Sequence, residues 1–120
     1  MDCRPTPLDV LTADLSRRPV DLAVALVRAG ARVVVVGGAA RHLLGAPRVP
    51  KDLDLVVEPR AIDSLVQALA LLDVMTTAAR LLRCGCSRFA TSYGPLDVFV
   101  GPAPPCVLTT SAGEVLQVAT

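Results

Sequence analysis

Four consecutive valines, Val33 to Val36, run directly into Gly37-Gly38, and two aspartates follow inside a second apolar run, Lys51-Asp52-Leu53-Asp54-Leu55-Val56-Val57. No other stretch of the chain restricts its fold as much. A short β-branched run suits a strand buried on both faces. The glycine pair at its end permits a close backbone approach that a bulky residue would block. Ala39-Ala40-Arg41-His42-Leu43-Leu44 then consists mostly of good helix formers and is closed by Gly45 and Pro47. The expected path is strand, tight turn, helix. The glycines fall at the strand-to-helix turn, where free N–H groups and the helix dipole favour an anion such as a phosphate.

The second run carries the acids. Its alternation reads as a strand, which puts Asp52 and Asp54 on one face. Two carboxylates side by side repel each other unless a cation lies between them, and hard oxygen donors suit Mg²⁺. Gly94-Pro95-Leu96-Asp97-Val98-Phe99-Val100 sets a third acid, Asp97, in another short apolar run that reads as a strand. If the two strands are neighbours, Asp97 completes a three-carboxylate site able to hold two metals as phosphoryl chemistry requires. The plainer account makes the acids solvated edge-strand residues and the glycines an ordinary turn. It leaves unexplained three acids in otherwise apolar strands, where unpaired charge is expensive.

Gly-Gly, then Arg41, then Asp-x-Asp, then one Asp on a later strand resembles the nucleotidyltransferase superfamily that includes DNA polymerase β. GGAARHLLG and KDLDLVV most resemble the head domain of tRNA CCA-adding enzymes and bacterial poly(A) polymerases, and are similar to bacterial nucleotidyltransferase toxins of toxin–antitoxin pairs. The specific part of the resemblance lies between Val36 and Val57 and between Gly94 and Val100. It implies a minimal nucleotidyltransferase fold of the α/β (α+β) class, a mixed β-sheet with helices mainly on one face. It also implies an enzyme that transfers NMP from an NTP such as ATP to an acceptor hydroxyl, a tRNA 3′ end or a protein side chain, with release of pyrophosphate.

On this resemblance Gly37 and Gly38 hold the triphosphate, and Asp52 and Asp54 bind both of two Mg²⁺ (or Mn²⁺) ions. Asp97 binds the catalytic metal and helps activate the hydroxyl, and Arg41 contacts the nucleotide or its phosphates. Arg48 and Lys51 form a basic cluster with Arg41 and His42 beside the acids. Phosphate or acceptor contact and simple charge balance explain Arg48 and Lys51 equally; Lys51 is placed with the nucleotide-binding group, and His42 reads as a surface helix residue. The alternative function is a nucleotide-binding or regulatory module, or a toxin–antitoxin-type interaction module, with this fold and little or no turnover.

The whole chain of 120 residues is expected to be one domain, with residues 1 to 18 irregular apart from a helical turn or two between Leu8 and Leu15. At 52% hydrophobic and 19% charged it is too apolar for a disordered chain. No apolar stretch approaches the ~18 residues of a membrane span, and no signal peptide is evident, so the expected location is cytoplasmic. Aromatics at 2% argue against stacking platforms for nucleic acid, and a net charge of +1 argues against a broad electrostatic footprint for it, so any nucleic-acid contact is expected to be local.

The remaining elements follow from spacing. A helix is expected from Pro19 to Gly30 and another over Arg60 to Leu72. A short strand is expected at Val74 to Thr77, strands between residues 80 and 100 with a turn at Tyr93-Gly94-Pro95, and a last strand at Val115 to Val118. Arg80, Arg83 and Arg88 read as a solvated face. Cys84 and Cys86 read as small core residues on one strand face rather than metal ligands. With Thr120 as the last residue, the helices that follow this domain in its relatives are expected to be missing. Self-association or a partner protein is then expected to cover the apolar surface they would hide.

Overall fold

The computed structural model describes residues 18–120; the helical turns expected between Leu8 and Leu15 lie outside the described residues. In chain order the elements are α1 (Arg18–Arg28), β1 (Val34–Val36), α2 (Gly37–Leu43), β2 (Leu53–Val57), a 3-10 turn (Pro59–Ala61), α3 (Ile62–Leu71), α4 (Ala78–Cys84), β3 (Cys86–Thr91), β4 (Gly94–Val100), β5 (Val107–Ser111) and β6 (Glu114–Val118). The six strands form one mixed sheet in the order β3-β4-β2-β1-β6-β5. Parallel pairs join β2 to β4 and β1 to β6, and the other neighbours are antiparallel. The protein is therefore a mixed α+β fold.

Period-two alternation decides which side of the sheet is covered. Leu53, Leu55 and Val57 of β2, Leu96 and Val98 of β4, and Leu116 and Val118 of β6 are fully buried. Onto that face α1 brings Leu22, Ala23 and Leu26, also fully buried, and packs against β2, β4 and β6. Helix α3 adds Ile62, Leu65, Ala68 and Leu69 and packs on α1. Each of these large side chains stabilises the fold by about 1.5–3 kcal/mol through burial. The opposite face, where Asp54, Asp97 and Phe99 alternate with the core positions, is more open. An arginine at each end of α1 secures a hairpin: Arg18 donates to the Ser92 carbonyl in the β3–β4 turn, and Arg28 binds Glu114 and the Ala112 carbonyl in the β5–β6 turn.

Several expected elements differ. The helix expected over Arg60 to Leu72 is split, a 3-10 turn at Pro59–Ala61 leading into α3 at Ile62. Residues 74–77 form no strand. Residues 80–84, where strand was expected, belong to helix α4: the Thr77 side chain accepts a hydrogen bond from the Arg80 N–H, and Gly85 at φ 71° ends the helix. Cys84 and Cys86 flank that glycine and are exposed, as is Cys106, so they are not core residues. Strand β5 was not expected; it is an edge strand with Val107 and Leu108 exposed. No helix among the described residues is long and apolar enough to cross a membrane.

The β3–β4 turn, which sets the register of the site described below, depends on Thr91. Its buried hydroxyl donates to the Gly94 carbonyl at 2.8 Å and accepts from the Tyr93 N–H at 3.0 Å. Thr91→Val keeps the shape and removes both bonds, leaving a backbone donor and acceptor short of partners. We expect it to lower stability by about 1.5 kcal/mol in urea unfolding.

Candidate metal centre

Strand pairing brings the distant acids together. In the parallel β2–β4 pair Asp54 lies directly beside Asp97, and in the antiparallel β1–β2 pair Val36 lies opposite Asp54. On the far side Arg88 of β3 is paired with Asp97. One row therefore crosses four strands as Arg88, Asp97, Asp54, Val36 on the open face. Asp52 comes in from the bend just before β2 rather than from the strand itself. Even so, Asp52, Asp54 and Asp97 each offer a carboxylate oxygen, and these atoms lie within 4.8 Å of one another. All three acids are partly buried. This is the three-carboxylate cluster expected from the sequence, with Asp52 held by a turn instead of by strand alternation.

The glycines do different work. Gly37 opens α2 with φ 67°, and a Cβ there would stand 2.7 Å from Asp54 Oδ2. The close approach that this glycine permits is to the carboxylate of Asp54. A Cβ on Gly38 would meet Arg41 Nη2 at 3.8 Å, an ordinary contact, so packing alone does not require glycine there. No side chain caps the start of α2.

Beside the acids lies a cavity of about 330 Å³, lined by Gly38, Arg41, Arg48 and Lys51 together with Asp52 and Asp54. The three cations are exposed. His42 stands apart from that lining; its Nδ1 is 3.1 Å from the Ala46 carbonyl and braces the loop after α2. Of the residues expected in the site, Gly38, Arg41, Lys51, Asp52 and Asp54 line the cavity, Gly37 abuts Asp54, and Asp97 flanks it through β4.

Clustering the acids has an electrostatic consequence. Partial burial, the neighbouring charge of Asp52, and the hydrogen bond and charge of Asp97 push the Asp54 carboxyl up to about 6, while Arg88 pulls it down. The folded state therefore binds the Asp54 proton more tightly than an unfolded chain at the model value of 3.8. The stability contributed by the protonated form is present at low pH and is lost as pH rises through about 4 to 6. Asp54→Asn removes this charge at little change in shape. We expect the variant to be more stable than wild type at pH 8 by about 1 kcal/mol, a figure reduced for solvent screening at a half-exposed site. Thermal unfolding at pH 4.5 and pH 8 checks both the sign and the window.

Sequence reasoning missed Arg88 as a member of the site. Its Nη1 contacts both oxygens of Asp97, at 2.9 and 3.2 Å, and its Nη2 lies 3.7 Å from Asp52 Oδ2. The signal was present as a Phe89-Ala90-Thr91 alternation leading to Gly94, but choosing Arg88 needs the hairpin register. Clustered hard oxygens whose mutual repulsion raises one carboxyl fit a divalent cation, and the charge of that cation would reverse the cost. Compared with known proteins, the chain matches no family model, no curated protein and no solved structure.

Proposed function

We propose that this protein is a metal-dependent nucleotidyltransferase that moves NMP from an NTP to an acceptor hydroxyl and releases pyrophosphate. The observation that carries this reading is the pairing of Asp54 with Asp97 across adjacent parallel strands, with Asp52 close enough for all three to share cations. A catalytic carboxylate cluster needs fixed oxygens, and here two of the three are set by a sheet register rather than by a loop. The adjoining cavity supplies the second requirement, cationic side chains for a polyanion: Arg41, Arg48 and Lys51 line it.

Within this reading each residue has a task. Asp52, Asp54 and Asp97 would hold two Mg²⁺ or Mn²⁺ ions, whose charge would lower the pKa of an attacking hydroxyl and offset that of the leaving pyrophosphate. Asp97, on the β4 side, faces the acceptor and takes part in orienting its hydroxyl. Arg41 and Lys51 bind phosphate oxygens and keep the chain of phosphates in the cavity. Gly37 keeps Asp54 close to the start of α2, so the acids and the phosphate side of the cavity share one rigid junction. The acceptor is a nucleic-acid 3′ end or a protein hydroxyl.

The test is transfer from α-labelled NTPs, one base at a time, with Mg²⁺ or Mn²⁺, to bulk tRNA and to the protein itself. Asp52→Ala/Asp54→Ala is the control. Label on tRNA or on protein that disappears in the control supports the reading and identifies the acceptor. Metal-dependent NTP binding without transfer would replace it with a nucleotide-binding module, and absence of binding would exclude both.

A further inference from the structure

Arg88 is paired with two of the three acids. It stands on β3 opposite Asp97, and its Nη1 engages both carboxylate oxygens of that residue while Nη2 approaches Asp52. Among the described residues no other cation forms an ion pair with the three acids. The acids it contacts are two of the three that can share a metal. A guanidinium has only donors, so it satisfies carboxylate oxygens and offers nothing to a cation. A divalent ion on Asp97 would therefore meet both a shortage of free oxygens and the repulsion of a fixed positive charge.

Two features make the arginine easy to release. Its side chain remains 59% exposed while bonded to Asp97, which is 16% exposed. Its neighbours on the same face of β3, Cys86 and Ala90, are small and carry no group that binds a guanidinium strongly. Ion pairs this exposed are weak, because water competes for both partners. A divalent cation held by three carboxylates is a stronger competitor for the same oxygens.

We propose that Arg88 is an exchangeable counter-cation of the acid cluster: it holds Asp97 and Asp52 in place and yields both when a divalent cation takes their oxygens. The proposal rests on the reading of the three acids as a cation site, and it makes Arg88 a positioning residue. Cation affinity is then set by exchange rather than by the carboxylates alone. The released guanidinium, still anchored on β3, stands at the rim of the loaded site.

The experiment is a Mn²⁺ titration of the full chain, followed by the paramagnetic resonance signal of free Mn²⁺ at pH 7.5 and low salt. Wild type is compared with Arg88→Gln and Arg88→Lys. Arg88→Gln should bind Mn²⁺ about tenfold more tightly, the effect of removing two weak competing pairs, and Arg88→Lys should fall between. In wild type, the Nε–H signal of Arg88 should move during a Mg²⁺ titration and saturate with the cation. This second readout stands even if a variant folds poorly. Equal or weaker Mn²⁺ binding by a folded Arg88→Gln, or an Arg88 signal that stays fixed while Mg²⁺ saturates, overturns the exchange and leaves the cation site intact. Absence of Mn²⁺ binding in wild type and both variants overturns the cation-site reading, and the exchange with it.

Discussion

Asp54→Asn, the exchange expected to stabilise the fold, is also expected, on the nucleotidyltransferase reading proposed above, to lower nucleotidyl transfer on the order of a thousandfold, the scale of losing several kcal/mol of metal-assisted charge stabilisation. The two effects have one cause. Asp54 lies close to both Asp52 and Asp97, and its charge is held against the repulsion of both. Nothing in the packing of the sheet calls for that charge, since the core face of β2 is carried by Leu53, Leu55 and Val57. An amide keeps one oxygen and loses the charge, so the fold gains while a cation held by the three acids would lose a charged ligand. Opposite signs for stability and activity mark a residue retained for function. The measurement pairs initial rates of transfer from labelled NTP with thermal unfolding of the same preparations. A variant that keeps wild-type transfer would remove Asp54 from the chemistry.

Gly37→Ala should be the most damaging single-methyl addition in the β1–α2 junction, at about 3 kcal/mol of lost stability. Two penalties coincide there. The residue has φ 67°, a region costly for alanine, and the new Cβ would stand 2.7 Å from Asp54 Oδ2. Relief requires either the backbone of the junction or the carboxylate to move, and moving the carboxylate disperses the acid cluster. Urea unfolding should show the loss, and in a chain this size it corresponds to a fall in Tm of more than about 10 °C. Gly38→Ala is the control. Its Cβ would meet only the end of the Arg41 side chain at 3.8 Å, and alanine favours the helix, so stability should hold or rise slightly. Equal losses in the two variants would contradict this division of labour between the glycines.

The acid cluster was legible in the sequence because it depends on patterns of short range. Asp54 and Asp97 each interrupt an apolar run at a position where alternation fixes the face. Parallel neighbours then needed only to pair in register, and Asp54 lies directly beside Asp97. Asp52 was placed correctly but for a different reason: the alternation suggested a strand, whereas a bend before Leu53 delivers the carboxylate. The first strand, the helix after it and the strand at Glu114–Val118 were likewise readable from β-branched runs and helix formers bounded by glycine.

What was not legible depends on partners or on weak local signals. Helix α4 is only seven residues long, and its apolar Leu81-Leu82 pair reads equally as strand. Thr77 and Gly85 were the available boundary marks. Strand β5 was hidden because its hairpin turn is Ala112-Gly113, with Ala112 at φ 50° where asparagine or aspartate would have announced the turn. Arg88 looked like one arginine among several on a solvated face. Only the register of β3 against β4 distinguishes it from Arg80 and Arg83, which lie on α4.

Thermal unfolding with and without Mg²⁺ at pH 8 and at pH 5 decides whether Asp52, Asp54 and Asp97 form a divalent-cation site. A cation that binds only the folded chain, at a hundred times its Kd, adds about 2.7 kcal/mol of stability, which raises Tm by roughly 10 °C. Wild type at pH 8 should show such a rise. At pH 5, where Asp54, with its carboxyl at about 6, is mostly protonated, the rise should fall to about half, and Asp52→Ala/Asp54→Ala should show none. A Tm that stays unchanged at pH 8 under saturating Mg²⁺ and Mn²⁺, or that rises equally in the double variant, would contradict such a site.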